Sequence, residues 1–358
     1  MTEEIQGRYI GFDFLKIIAT IMVIVLHVNG FLTDGISLAS FSCSTNIIWH
    51  VSEAIAYPAI HIFVMITAWF AVDRKFSVKG IVNAWCQTWC VCIFGLICAL
   101  VFRYDFGLKG LFAVVFPFAG RAYWFVTDYI ILMFFSPALN MVIKKCTNKQ
   151  LISFTTLLFV VESVFACCLS TLNWNQDYSN IGLFILLYFM SGVLKRNINN
   201  IPKIGGAIWG ISFGLLIGSY GLLHCLGFSV HKIFMEKEMI FYQYNSPFVI
   251  FEAVGLTILF AKINIKIENV LIKRIINIFV NASLAVYLVH MHPILKQHYV
   301  SLGVLSWLNV CDLGIYLIET IFCVGFIFLT GVICSIPITK VSRFVCCKLD
   351  VLDVLNEK

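Results

Sequence analysis

The sequence predicts an all-α polytopic membrane protein of about ten transmembrane helices, with both termini on the cytoplasmic side. Three observations carry this expectation. Of the 358 residues, 60% are hydrophobic and only 12% charged, against about 25% charged in a typical globular domain, and the mean hydropathy is +0.93. The apolar runs are close to the ~20 residues that an α-helix needs to cross a bilayer, too long for barrel strands, and helices satisfy their own backbone groups inside lipid. The basic residues also fall on alternate connecting segments: 18 of the 25 lie in the segments assigned inside, 6 in those assigned outside, and Lys16 lies within a span. That split follows the positive-inside rule. It accounts for the net charge of +6 without a nucleic-acid partner.

In order, the spans are expected near 9–31, 47–72, 79–102, 122–143, 150–170, 181–195, 204–226, 246–262, 275–295 and 313–337. The opening MTEEIQGR is charged, and the long apolar run after it has no small-residue cleavage site, so it reads as a retained first helix. A single transmembrane domain over 1–345 is expected, with a short cytoplasmic tail over 346–358. Between spans, FGLKGLFAVVFPFAG (106–120) is apolar but short, and reads as an interfacial or re-entrant piece. HKIFMEKEMIFYQYN (231–245) reads as an outer interfacial helix or cap. The 14 cysteines show no metal-ligand spacing. Buried within apolar helices they act as small hydrophobes, and no metal is expected.

Polar groups inside spans are costly and point to function. The first span carries Asp13, Lys16 and His27. Lys16 and His27 are eleven residues apart, hence on one helix face with His27 ~16 Å further along the axis. The second span holds His50, Glu53, Tyr57 and His61 on one stripe, with Pro58 as a kink point. The fourth brings Arg121, Trp124 and Asp128 to one face, flanked by Tyr123 and Thr127. The ninth brings Ser283, Tyr287 and His290 together, while His292-Pro293 marks a helix end. Glu162, Glu252 and Glu319 read as interhelical hydrogen-bonding groups. With the predicted topology, His27, His50, Glu53, Trp124, Asp128 and His290 share the outer half of the membrane. Asp13 and Lys16 lie at the inner end, near Arg74 and Lys75. A local Asp13–Lys16 ion pair, an aromatic belt at Tyr123 and Trp124, and purely topological roles for Arg74 and Lys75 are the structural alternatives.

Four stretches resemble the acyltransferase-3 family of integral membrane acyltransferases, in its polysaccharide-modifying branch. They are DFLKIIATIMVIVLH (13–27), which reads D-x2-K-x10-H; IFVMITAWFAVDRKFSVKG (62–80); YWFVTDYIILMFFSPALN (123–140); and SLAVYLVHMHPIL (283–295). The resemblance implies transfer of an acyl group, by default acetyl, from cytoplasmic acetyl-CoA to a hydroxyl of a cell-surface polysaccharide or lipid-linked glycan across the bacterial inner membrane. It implies that His27 is essential, as catalytic base or acyl carrier. The R-x2-R pair that many members carry early in helix 3 is replaced here by KGIVNAWCQTWC. Lys16, Arg74, Lys75 and Lys79 therefore stand as candidates for the CoA phosphates. Glu53 and Asp128 are candidate partners of the catalytic histidine. Asp13, His50, Tyr57, Tyr123, Trp124 and His290 are candidate substrate-binding residues, with Trp124 and Tyr123 as oxyanion donors. The expected partners are acyl-CoA, the glycan acceptor and membrane lipid; the oligomeric state is left open.

A transporter or flippase of a lipid-linked saccharide would use the same polar cavity without chemistry. It predicts no consumption of acyl-CoA. A glycan polymerase is disfavoured by the short outer loops.

Overall fold

The structure, a computed structural model, describes residues 9–35, 37, 40–119, 122–168, 181–231, 237–296 and 308–356. Arg8, Arg121, Lys232 and Lys358, and residues 232–236 of the expected outer cap, lie outside these. The described residues form helices and no strand. They are α1 (Ile10–Gly35), α2 (Cys43–Ala56), α3 (Ala59–Ala71), α4 (Val78–Val101), α5 (Gly107–Val115), α6 (Trp124–Lys145), α7 (Asn148–Phe159), α8 (Ile181–Asn197), α9 (Gly205–Ser229), α10 (Pro247–Ala261), α11 (Val270–His290) and α12 (Leu313–Asn356). Seven helical stretches among them, with α2 and α3 taken as one, are long and apolar enough to cross a membrane. Helices also occupy the other three expected spans, as α7, α8 and the shorter apolar α10. The chain is a polytopic all-α membrane protein.

Local chemistry sets the helix ends. Ser42 accepts a hydrogen bond from Thr45 N at α2, Thr147 and Gln150 form a capping box at α7, and Asn269 accepts from Leu271 N and Ile272 N at α11. Each side chain supplies an acceptor that the first helical turn lacks. Pro58 separates α2 from α3, as its missing N–H and ring clash dictate. The α7 segment shifts to π-helix over Val160–Phe165, the kind of bulge that re-aims a helix.

Of the boundaries that differ from the sequence expectation, three bear on the cavity. The fourth span begins at Trp124, so Tyr123 is the residue before the helix rather than part of it. The ninth runs from Val270 to His290 and stops there because the His292 ring accepts from Ile294 N and Leu295 N, closing a turn ahead of any further helix. The last helix does not end at 337. It continues through the segment expected as a tail, to Asn356, despite Pro337 in its interior.

Helix α1 is central and packs against α2, α3, α10, α11 and α12. Apolar clusters on its two sides centre on Phe12, Leu15, Met65, Trp69 and Phe184 and on Ile24, Val28, Val286 and Phe328. The α9–α10 pair crosses closest: a Cβ on Gly205 would lie 2.5 Å from Gly255 O. Small residues permit such approach where lipid offers no hydrophobic drive to pack helices. Cations in the last turn of α8 cap neighbouring helices. Arg196 donates to Cys146 O at 2.9 Å and to Ile143 O, at the end of α6. Lys195 pairs with Asp73 at 2.5 Å and donates to Trp69 O. These contacts satisfy terminal carbonyls, so the same charges that mark topology also tie elements together.

Candidate active site

A cavity of about 510 Å³ lies among α1, α3, α4, α6, α11 and α12. Helix positions order its wall. One end carries Lys79 of α4 with Arg343 and Cys346 of α12; Lys16 and Thr20 of α1 lie further in; His27, Trp124, Tyr244, Tyr287 and His290 line the other end. The cavity therefore joins a basic end to a histidine end, along the α1 face that holds Lys16 and His27.

At the histidine end, His27 Nδ1 and His290 Nε2 are 2.8 Å apart. His290 is buried, and its Nδ1 lies 2.6 Å from Val286 O. A carbonyl only accepts, so His290 Nδ1 carries the proton. In a neutral ring its Nε2 is then an acceptor. The proton between the two rings must belong to His27 Nδ1. This chain, Val286 O to His290 to His27, leaves the lone pair of His27 on Nε2, in a ring that lines the cavity. A second histidine thus fixes the tautomer, the role that a carboxylate plays in many histidine sites.

The other candidates divide between the cavity and its supports. Lys16 and Trp124 line the cavity. Asp13 lies one turn before Lys16, near enough for the two charges to interact. Glu53 does not bond His27: its Oε1 accepts from Asn29 Nδ2 at 2.8 Å. The same amide contacts Ser52 Oγ at 2.8 Å. Asp128 is buried, on α6 beside the cavity-lining Tyr129, and is not itself part of the wall. Tyr123 is fully buried, and its hydroxyl donates to Leu288 O at 2.9 Å. That proton is committed to holding α11, two residues before His290. Arg74 stands over the Phe70 ring at 5.4 Å, and neither it nor Lys75 lines the cavity.

His50 belongs to a neighbouring aromatic cluster. Its ring lies 3.9 Å from that of Tyr220 and 5.9 Å from that of Tyr242. Tyr57 continues the series, 6.0 Å from Tyr242 and 5.7 Å from Tyr244, and Tyr244 is 5.7 Å from Trp124. A ladder of rings thus runs from α9 to the histidine end. The segment bearing Tyr244 is turns rather than a helix. His61 donates to Tyr244 O at 2.8 Å, and Ser163 donates to Asn245 O at 2.7 Å. These bonds pin Tyr244 to the cavity, and burial raises its hydroxyl pKa to about 12.

Of the three acidic groups expected to bond between helices, Glu319 instead accepts from Asn309 N, in the turn before α12. Glu252 is fully buried, with no hydrogen-bond partner at either oxygen among the described residues. Glu162 packs against Gly182 of α8, where an added Cβ would meet its carboxylate.

Several wall residues carry no signal in the motif pattern. Arg343 reads in sequence only as a topology charge, and Tyr244 only as part of an outer cap. Asn83 and Gln87 were legible in principle: with Lys79 they recur every four residues on an apolar helix. Among the described residues no three His, Cys, Asp or Glu side chains converge as metal ligands.

No curated protein and no solved structure matches the chain. A family described as an acyltransferase domain matches residues 9–340, a range that contains α1 to α11, most of α12 and nearly all of the cavity wall. With that match over nearly its whole length, the chain belongs to the acyltransferase-3 family of membrane acyltransferases.

Proposed function

We propose that the protein is an O-acyltransferase that moves an acetyl group from cytoplasmic acetyl-CoA to a hydroxyl of a cell-surface polysaccharide or lipid-linked glycan, with His27 as general base. The observation that supports this most is the cavity joining basic residues to the His27–His290 pair. A CoA donor has the matching polarity: phosphates at one end, thioester at the other.

In this reading Lys79 and Arg343 bind the donor phosphates at the basic end, with Lys16 deeper along the wall. They take the place of the absent R-x2-R pair. At the histidine end, His27 Nε2 removes the proton of the acceptor hydroxyl as its oxygen attacks the thioester carbonyl. The oxyanion that forms is stabilised by donors of the wall, Trp124 and Tyr244. Collapse breaks the C–S bond, and the imidazolium returns its proton to the departing thiolate, giving the ester and free CoA. His290 keeps Nδ1 of His27 occupied throughout, so only Nε2 exchanges protons. The basic end faces the cytoplasm of a bacterial cell and the aromatic ladder faces the acceptor.

His27→Ala tests the reading. Loss of general-base catalysis is worth about 10²–10⁴-fold. Glycan O-acetyl groups, followed by mass spectrometry and NMR, should disappear while the protein still reaches the membrane. Unchanged acetylation would overturn the assignment. Membranes holding the wild-type protein that consume no acetyl-CoA, in a strain whose deletion stops glycan export, would favour a saccharide transporter instead. Arg343→Ala should raise KM for acetyl-CoA about tenfold with little change in kcat, the signature of lost uniform binding.

A further inference from the structure

Helix α4 contributes a polar row to the cavity: Lys79, Asn83 and Gln87 all line it. Four-residue spacing puts them on one face, ~6 Å apart along the axis and ~12 Å from first to last. Asn281 of α11 lines the same cavity. Gln87 is the informative member. It is 4% exposed, yet its Oε1 is buried without a hydrogen-bond partner among the described residues. A buried amide oxygen left in this state is costly, and here it belongs to a side chain of the cavity wall. An amide oxygen accepts from N–H or O–H, and an amide N–H is one group that suits it.

The depth of Gln87 can be fixed from a neighbouring contact. Five residues further along α4, Cys92 O lies 3.4 Å from His292 Nε2. His292 lies just past the end of α11 and its ring also covers Gly95, so Gln87 sits about one to two turns to the basic side of the histidine level. In an acyl-CoA the amide nearest the sulfur is separated from it by two carbons and lies on the same side of the thioester, toward the phosphates. The second amide follows after another two-carbon spacer, and the phosphates come last.

Building on the acyl-CoA reading above, we propose that Gln87, with Asn83 and Asn281, recognises the amide groups of the donor's pantetheine arm. On donor binding the Gln87 carboxamide turns toward the cavity, its now covered Oε1 accepts the N–H of the amide next to the sulfur, and this sets the depth of the thioester against His27. The carboxamides of Asn83 and Asn281, nearer the basic end, serve the second amide. The wall then reads charge, carboxamide, carboxamide, histidine, in the order of the donor's own groups.

The test compares donors that differ in their amides. Initial rates of thiol release are measured on purified protein, with surface polysaccharide de-O-acylated by mild base as acceptor. The donors are acetyl-CoA, S-acetyl-N-acetylcysteamine (one amide, next to sulfur) and S-ethyl thioacetate (none). Gln87→Met, similar in shape but with no amide oxygen, should lower kcat/KM for the first two about tenfold more than for S-ethyl thioacetate. Asn83→Ala should penalise acetyl-CoA alone. Equal losses on all three donors, or none, would overturn the proposal. A wild-type protein that turns over S-ethyl thioacetate as well as S-acetyl-N-acetylcysteamine would overturn it too, with acyl transfer intact. Absence of any turnover by wild type would instead remove the acyl-transfer reading on which the proposal stands. The melting temperature of Gln87→Met in detergent separates a folding defect from lost recognition; if that variant melts early, the Asn83→Ala comparison decides.

Discussion

At the residue scale the distinctive feature is a histidine oriented by a histidine. A neutral imidazole both donates and accepts, so His290 can pass the orientation set by Val286 O on to His27. His290→Leu removes the acceptor of the Nδ1 proton and frees His27 to adopt either tautomer. His290→Gln keeps an acceptor oxygen. The Leu variant should lose about 100-fold in kcat, within the range of general-base effects, and the Gln variant no more than about tenfold. Equal losses from both would mean that His290 acts through packing alone. The sequence places His27 and His290 at one depth and offers Glu53 or Asp128 as the orienting partner. Periodicity says which residues share a helix face. It does not say which of several polar groups at one level meet. Asn29, two residues after His27 and in no motif, is what occupies Glu53.

Elements were legible wherever they are long and apolar, and their ends were not. The ends depend on which backbone N–H a single polar side-chain atom meets, and hydropathy does not record that. His292 illustrates this: the sequence marks it as a helix stop, and its mode of action needs three elements. Its Nδ1 accepts from Ile294 N and Leu295 N, its Nε2 therefore carries the proton and faces Cys92 O, and its ring lies over Gly95. A Cβ on Gly95 would collide with the imidazole. Gly95→Ala should thus destabilise the fold by about 1–3 kcal/mol, the usual cost of overpacking, seen as a lower thermal midpoint in detergent. A midpoint equal to wild type would show that the turn after α11 yields freely. Tyr123→Phe probes the same helix from the other side. It leaves Leu288 O without the Tyr123 hydroxyl and should cost about 1 kcal/mol, with a fall in kcat from the displaced His290 and little change in KM for acetyl-CoA.

For the whole molecule, the distribution of charge and the distribution of chemistry are one pattern. The loops that the positive-inside rule assigns to the cytoplasm lie at the end of the bundle where Lys79 and Arg343 line the cavity. In the proposed function, the charges that orient the chain in the membrane also mark the end through which the anionic donor would enter. What the sequence hid was the length of α12. The sequence expectation ends this span at 337, but the helix continues, because 338–348 holds no helix breaker and Lys340, Arg343 and Lys348 are good helix formers. That continuation brings Arg343 and Cys346 to the cavity. Thiol chemistry tests the arrangement directly. Cys43 and Cys311 are exposed at the ends of α2 and α12 nearest the histidines, whereas Cys346 stands at the basic end. A membrane-impermeant maleimide should label Cys43 and Cys311 in intact spheroplasts. It should reach Cys346 only in inverted vesicles, read in a Cys347→Ser background to remove the neighbouring exposed thiol. Acetyl-CoA should slow the labelling of Cys346 and leave the other two unchanged. Labelling of Cys346 from outside would reverse the orientation of the bundle. Labelling from inside without protection by acetyl-CoA would leave the orientation standing and move the donor entrance away from α12.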